Sequence, residues 1–174
     1  TKMKHEVLDI DFDNKKITVK NLVTDEVSED SYDKLVLTVG SWPIVPKFEG
    51  GEFENIELCK NYNHALTIIE KSKHAKNVVI IGAGNVAMDA ARTAKNHGAS
   101  NVTVVYRKGF EDMTATKAEI KDAKEDGVNF ELFKASVEII DEGVIFIDTK
   151  KLDDERKTMV NIEGSEKLIN ADSV

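Results

Sequence analysis

The residues with the clearest chemical signature form a glycine-rich stretch in the middle of the chain. It reads Gly82, Ala83, Gly84, Asn85, Val86 and Ala87, which is the pattern G-x-G-x-x-A. The first glycine allows a tight strand-to-helix turn, the second lets the backbone approach a pyrophosphate, and the small last residue allows close packing. The N–H groups of the following helix then bind phosphate oxygens. We predict a dinucleotide site containing Gly82, Gly84, Asn85, Val86 and Ala87; the alternative is a purely structural glycine turn.

A basic pair follows the next apolar run, where nucleotide-binding units often place a carboxylate. The run ends at Tyr106, and Arg107 and Lys108 come directly after it. A carboxylate would accept hydrogen bonds from the ribose 2′-hydroxyl of NAD and repel a 2′-phosphate, whereas arginine attracts phosphate. We therefore predict NADP(H) in preference to NAD(H). The nearby Glu111 and Asp112 weaken this preference, and the basic pair could also be ordinary surface residues.

These residues need an α/β scaffold to position them. Three short apolar runs, at 78–82, 102–106 and 129–133, predict the strands of a parallel sheet. Between them, helices are predicted from about Val86 to His97 and after Thr116 and Glu119, which form a capping-box pattern. A further helix is predicted at 62–75. On the helix from Val86 to His97, Asp89 and Arg92 lie one turn apart, which predicts a local ion pair; the alternative is a role near the nicotinamide.

Both ends of the chain are predicted to be β-rich. Residues 3–40 predict two strands, an acidic turn at 24–33 and a buried strand at 32–40, and the proline- and glycine-containing residues 41–51 predict a linker. Residues 135–174 predict an antiparallel β-meander whose last residues begin another strand. The two ends are alike in pattern, which favours two related domains, 1–50 and 51–174, although chance similarity is an alternative.

Composition excludes several classes of protein. The net charge of −8 argues against binding to nucleic acid or to an anionic membrane. Cys59 is the single cysteine, so no intrachain disulfide can form, and we expect it to be an ordinary thiol. The four histidines show no metal-ligand spacing, so no metal site is expected. With no apolar run near the ~18 residues of a membrane span and no signal peptide, we expect a cytoplasmic protein.

Two stretches resemble known flavoprotein families. Residues 78–133, which contain IGAGNVAMDAARTAKNHGASNVTVVYRK and MTATKAEIKDAKEDGVNFELF, resemble the NADPH-binding domain of the glutamate synthase small subunit. That family has Tyr-Arg-Arg after its second strand, so Arg107 matches and Lys108 departs mildly. It also has a proline where this chain has Thr114. Residues 4–58, which contain DSYDKLVLTVGSWPIVPK, resemble instead the FAD domain of bacterial NADH oxidases and coenzyme A-disulfide reductases.

The resemblance implies a flavoprotein with two dinucleotide-binding domains, of which this chain would hold only parts. Residues 1–50 would be the C-terminal part of an FAD-type domain, and 51–174 an NAD(P)H domain lacking its last strand. Hydride would pass from NADPH to FAD, and partners would be the remaining FAD-domain segments and, as an open question, a second copy. No catalytic residue is identified. Alternatives are an NADH-specific oxidase or disulfide reductase domain and a regulatory nucleotide-binding module without redox chemistry.

The first testable prediction concerns flavin. FAD in this class is held by its own glycine turn, and the sequence contains no second G-x-G-x-x-G/A pattern. The purified chain of 174 residues should therefore be colourless and bind no FAD. Absorbance spectroscopy after incubation with FAD and gel filtration measures this, and a stoichiometric flavin band would contradict the prediction.

Overall fold

The computed structural model describes residues 1–41, 56–153 and 158–174. The chain divides into two compact units, Thr1–Ser41 and Trp42–Val174. Most of the predicted linker at 41–51 lies outside the described residues. Within the described part of the chain, every helix is too short or too polar to span a bilayer.

The first unit is a three-stranded antiparallel sheet. Its strands are β1 (His5–Asp11), β2 (Lys16–Asn21) and β3 (Val27–Ser31), in the order β1-β2-β3. The first hairpin is as predicted, but β3 occupies part of the predicted acidic turn. Acidic residues have low strand propensity, yet here ladder pairing with β2 orders an exposed strand. Across this pairing Lys16 Nζ lies 2.8 Å from Glu29 Oε2.

The predicted buried strand at 32–40 is wrong. None of these residues belongs to a strand, and Val36 and Val39 are 78% and 90% exposed. An apolar run becomes a buried strand only where a sheet edge and a covering layer receive it. Within residues 1–41 the sheet ends at β3, so the run has neither.

The second unit contains the remaining elements. Its helices are α1 (Tyr62–Ser72), α2 (Asn85–Asn96) and α3 (Lys117–Glu125), and a short 3-10 helix spans Phe110–Asp112. Its strands are β4 (Asn77–Ile81), β5 (Asn101–Tyr106), β6 (Asn129–Leu132), β7 (Lys134–Ile140), β8 (Gly143–Asp153), β9 (Thr158–Asn161) and β10 (Lys167–Asn170). The predicted α/β class, with a Rossmann-like parallel sheet, an appended antiparallel meander and a β-rich segment before them, is confirmed.

The helix starts follow from local capping. Thr116 Oγ1 accepts a hydrogen bond from Glu119 N at 3.2 Å, as the capping-box pattern predicts. Asn61 Oδ1 caps α1 in the same way by accepting from His64 N. Helix α1 ends at Ser72, three residues before the predicted end at 75.

The parallel sheet β4-β5-β6 is covered on both faces. Val78, Val102 and Val104 pack with the helices, and Val79 and Val105 pack with the meander. Adjacent residues of one strand point to opposite faces, so each apolar strand contributes to two cores. The sheet is thus the central layer of this unit, between helices and meander.

The meander pairs in the order β10-β8-β7, with β9 along the end of β8. After β10 the chain turns beside β4, where Val79 N donates to Ser173 O at 3.0 Å and Asp172 N donates to Asn77 O. Ser173 forms a parallel bridge with Val78. This single bridge is not a strand, so the expectation that the last residues begin another strand stays a prediction.

Arg92 joins α2 to α3, and the predicted Asp89–Arg92 pair is wrong. Among the ion pairs of the described residues, Arg92 Nε lies 2.7 Å from Asp126 Oδ2, and its Nη1 lies 3.5 and 3.4 Å from Glu119 and Asp122. One guanidinium can bind several carboxylates because its donors form a planar fork. The helix–helix contact therefore offers Arg92 more acceptors than its own helix does.

The second prediction concerns the stability of this contact. A hydrogen bond from Arg92 lowers the pKa of Asp126 in the folded chain. The stabilisation is therefore complete above the ordinary aspartate pKa and disappears as the pH falls through the lowered one. Arg92→Gln should reduce the melting temperature at neutral pH, and the difference from the unmutated chain should shrink in acid.

Lys121→Gln is the matched control, because its pair with Glu125 is exposed on both sides and should contribute little. Calorimetry of the three chains against pH measures the effect. Equal melting temperatures for Arg92→Gln and the unmutated chain at neutral pH would contradict the prediction.

Candidate functional site

The register of the parallel sheet brings the two predicted parts of the site to the same edge. Ile81, the last residue of β4, is level with Val105, near the end of β5. The glycine turn follows Ile81, and the basic pair follows Tyr106. Both segments therefore leave the sheet at its carboxyl edge, where open α/β sheets bind ligands.

Gly82 makes the sharp exit from β4. Its φ of +145° is a conformation that side chains rarely adopt, and its N donates to Val105 O at 3.1 Å. A Cβ on Gly82 would lie 3.6 Å from Ala87 Cβ. The small residue at 87 therefore lets α2 approach the strand closely, as the motif predicts.

Gly84 is the N-cap of α2 and leaves the space above it open. Its backbone is extended, with φ −93° and ψ 175°, so no strain requires glycine here. A Cβ added to Gly84 would meet one atom within 4 Å, Thr114 Oγ1 at 3.4 Å. The glycine thus creates a shallow cradle at a helix N-terminus, and a pyrophosphate fits such a cradle.

The segment 113–116 borders this cradle, and sequence reasoning did not place it there. Ala115 N donates to Ala83 O at 3.0 Å, and Thr116 N donates to Asn85 Oδ1 at 2.9 Å. Asn85, predicted to bind cofactor, therefore uses its side-chain oxygen to hold this loop. Its backbone N–H remains part of the helix N-terminus, and the exposed Val86 lines the neighbouring cavity.

The basic pair lies on a loop whose backbone is anchored. Arg107 is exposed and Lys108 is half-buried. Thr149 Oγ1, on β8, donates to Arg107 O at 2.7 Å, and Phe133 N donates to Lys108 O at 3.4 Å. The meander therefore fixes the backbone and leaves the guanidinium of Arg107 accessible.

The position where a carboxylate is expected has another role in this chain. Tyr106 donates its hydroxyl to Asp112 O at 3.0 Å, which closes the loop after β5. Lys151 of β8 lies 3.4 Å from Glu111 Oε1 and 3.3 Å from Asp112 Oδ2. No local pattern identifies Lys151 or Thr149, because they come about forty residues after the loop that they contact.

An apolar cavity of about 430 Å³ adjoins the glycine turn. Ile56, Leu58 and Cys59 line it together with Gly84 and Val86. Burial, with a smaller effect of Asp89, raises the pKa of the Cys59 thiol. A raised pKa keeps the sulfur protonated and weakly nucleophilic, which fits the predicted ordinary thiol. Among the described residues, no group of three His, Cys, Asp or Glu could hold a metal ion.

The chain is similar to known proteins in sequence and in fold. The pyridine nucleotide-disulphide oxidoreductase family model matches residues 1–174. An NADH oxidase of Enterococcus faecalis is 48% identical over 104 residues, 60% of this chain and 23% of that protein. A glutamate synthase [NADPH] small chain of Halomonas elongata is 29% identical over 163 residues, 83% of this chain and 34% of that protein.

A solved structure adds a chemical comparison. It is an engineered water-forming NADPH oxidase bound to NADPH, a mutant of the Lactobacillus brevis NADH oxidase, with a TM-score of 0.69 and 30% identity. The matched region covers 99% of this chain and 36% of the oxidase chain. Its substitutions include aspartate to alanine and, at the next position, alanine to arginine. The chain thus spans about a quarter to a third of the length of these relatives.

The third prediction tests the cradle at Gly84. Gly84→Val should abolish measurable binding of both NADPH and NADH while the fold persists, because the side chain fills the space that a pyrophosphate needs. The extended backbone at this position accepts valine. Calorimetric titration measures affinity, and circular dichroism measures folding.

Thr114→Ala in the same background is the control. It removes the hydroxyl that the new side chain approaches. If this second change restores binding, displacement of the 113–116 loop caused the loss. Undiminished affinity in a folded Gly84→Val chain would contradict the site itself.

Proposed function

Because the chain belongs to the pyridine nucleotide-disulphide oxidoreductase family, we propose that its second unit binds NAD(P)H for a flavin-dependent oxidoreductase. The nucleotide would lie across the carboxyl edge of β4 and β5, with its pyrophosphate at Gly82, Gly84 and the start of α2. FAD, in the complete protein, would accept the hydride. When bound, the two cofactors supply the redox chemistry, and the residues of this chain bind and orient the nucleotide.

One observation carries this proposal: the open cradle over Gly84 at the N-terminus of α2. Gly84, Asn85 and Val86 begin the helix, where backbone N–H groups have no partner within the helix. Their partial positive charge favours a phosphate anion. The close Gly82–Ala87 contact and the loop at 113–116 hold this helix start in place.

We infer a preference for NADPH from the loop after β5. Tyr106 stands where a carboxylate would bind the ribose hydroxyls, and the exposed Arg107 can form a forked, charge-assisted contact with a 2′-phosphate. Lys108 adds a second positive charge. The engineered NADPH oxidase likewise lacks an aspartate and has an arginine at the next position, which supports this preference.

A second candidate is NADH as the natural donor. The Enterococcus faecalis relative is named an NADH oxidase, and it is 48% identical over the matched residues. The Halomonas elongata relative is instead named for NADPH. The names of the relatives therefore do not distinguish NADH from NADPH. Our preference for NADPH rests on the residues at 106–108.

The other parts of the chain have roles that follow from the family. We propose that residues 1–50 belong to an FAD-type domain and residues 51–174 to the NAD(P)H domain. The three-stranded sheet of β1, β2 and β3 would then pack against further segments of the FAD domain. A homodimer is a further proposal that gel filtration of the complete protein would test.

The fourth prediction tests the nucleotide preference. Arg107→Ala with Lys108→Ala should weaken NADPH binding, since losing a charge-assisted contact costs about 1.5–3 kcal/mol, or roughly tenfold to a hundredfold in affinity. NADH lacks the 2′-phosphate, so its affinity should barely change. Added salt should reduce the NADPH preference of the unmutated chain, because exposed ionic contacts are screened.

Lys73→Ala with Lys76→Ala is the matched control. It removes the same charge next to the start of β4, at the opposite edge of the parallel sheet. This variant should keep the NADPH preference. If the unmutated chain binds NADH as tightly as NADPH, the basic pair does not select the nucleotide, and the NADH alternative is correct.

A further inference from the structure

We propose that Lys151 is a specificity-determining residue of the nucleotide site, which lets the loop after β5 accept a 2′-phosphate by neutralising Glu111 and Asp112. This inference rests on the proposed function. The two carboxylates follow the basic pair closely in sequence and would otherwise oppose its charge. Lys151 comes from β8, an element of the appended meander rather than of the nucleotide-binding sheet.

The contacts of Lys151 show that it serves both carboxylates. Its Nζ lies 3.4 Å from Glu111 Oε1 and 3.3 Å from Asp112 Oδ2. The Asp112 side chain is 2% exposed and that of Lys151 is 31% exposed. A carboxylate this deeply buried is costly without a cation beside it, so Lys151 compensates its charge.

The same strand also fixes the backbone of the basic pair. Thr149, two residues before Lys151, donates its hydroxyl to Arg107 O. Residues 149 and 151 of one strand point to the same face, so both side chains reach the loop. Tyr106, from the start of the loop, donates to Asp112 O. These contacts hold the loop of residues 106–112 against β8.

The charge balance of this loop decides whether it attracts phosphate. Arg107 and Lys108 contribute two positive charges, and Glu111 and Asp112 contribute two negative charges. Lys151 makes the sum of these five side chains positive. Asp112 and then Glu111 raise the pKa of Lys151, so it keeps its charge throughout the neutral range. Removing that charge would weaken the attraction of the loop for a dianionic 2′-phosphate.

A purely structural role for Lys151 predicts a different outcome. If the lysine only holds the loop in place, its loss should displace Arg107, and removing the charge of Glu111 should recover none of the lost NADPH affinity. If it neutralises the carboxylates, removing the charge of Glu111 should recover part of that affinity. Recovery of the ratio of NADPH to NADH affinity by Glu111→Gln therefore separates the roles.

The fifth prediction uses five variants and three ligands. The variants are Lys151→Met, Lys151→Arg, Glu111→Gln, Lys151→Met with Glu111→Gln, and Lys150→Met. The ligands are NADPH, NADH and adenosine 2′,5′-bisphosphate. Lys151→Met should weaken NADPH and the bisphosphate by roughly threefold to tenfold, with NADH nearly unchanged. Lys151→Arg keeps the charge and should retain the preference.

The double variant is the sharper test of neutralisation. With Lys151 replaced by methionine, Glu111→Gln removes one uncompensated charge and should recover part of the lost NADPH affinity. The same Glu111→Gln change in the unmutated chain should have a smaller effect, because Lys151 already compensates that carboxylate. Lys150, which is exposed on the same strand, is the matched control and should leave all three affinities unchanged.

The outcomes separate this inference from the proposed function. If the unmutated chain prefers NADPH and Lys151→Met leaves the ratio of NADPH to NADH affinity unchanged, the inference is overturned and the proposed function stands. An equal loss for both nucleotides also overturns it, because the lysine is then structural. If the unmutated chain shows no NADPH preference, the proposed nucleotide choice fails and the inference fails with it.

Discussion

The parallel pairing of β4 with β5 is the constraint on which the second unit depends. It runs in register from Asn77–Asn101 to Ile81–Val105. Parallel strands of this kind are buried on both faces, and here each strand divides its valines between two cores. Helices α1, α2 and α3 cover one face, and the meander covers the other. Shifting the register by one residue would exchange the two faces and disrupt both cores.

The same register creates the candidate site. Because the two strands end level, the glycine turn and the loop with the basic pair leave the sheet side by side. Strand β8 of the meander contacts the loop after β5. Thr149 donates a hydrogen bond to Arg107 O, and Lys151 forms ion pairs with Glu111 and Asp112. A nucleotide site of this design is therefore a product of both layers. The loop that would select the nucleotide is held by β8 as much as by the sheet that carries it.

The predictions from sequence succeeded where a local pattern has one structural solution. A glycine turn between a strand and a helix, and a threonine three residues before Glu119, place their elements through short-range hydrogen bonds and sterics. They failed where burial or pairing was assumed. The run at 32–40 is apolar but has no sheet to join within residues 1–41, and Arg92 finds its partners on α3. Propensity is a weak guide when a neighbouring element offers a better contact.

The sequence by itself determined the α/β class, the glycine turn at 82–87 and the basic pair after β5, because each depends on residues close together in the chain. Tertiary structure alone decided which groups surround them. Thr114 reaches the cradle at Gly84 across thirty positions, and Lys151 reaches Glu111 and Asp112 across about forty. Such contacts depend on how two layers pack and on strand register, and hydrophobic periodicity specifies which face of a strand is buried without specifying what lies against it.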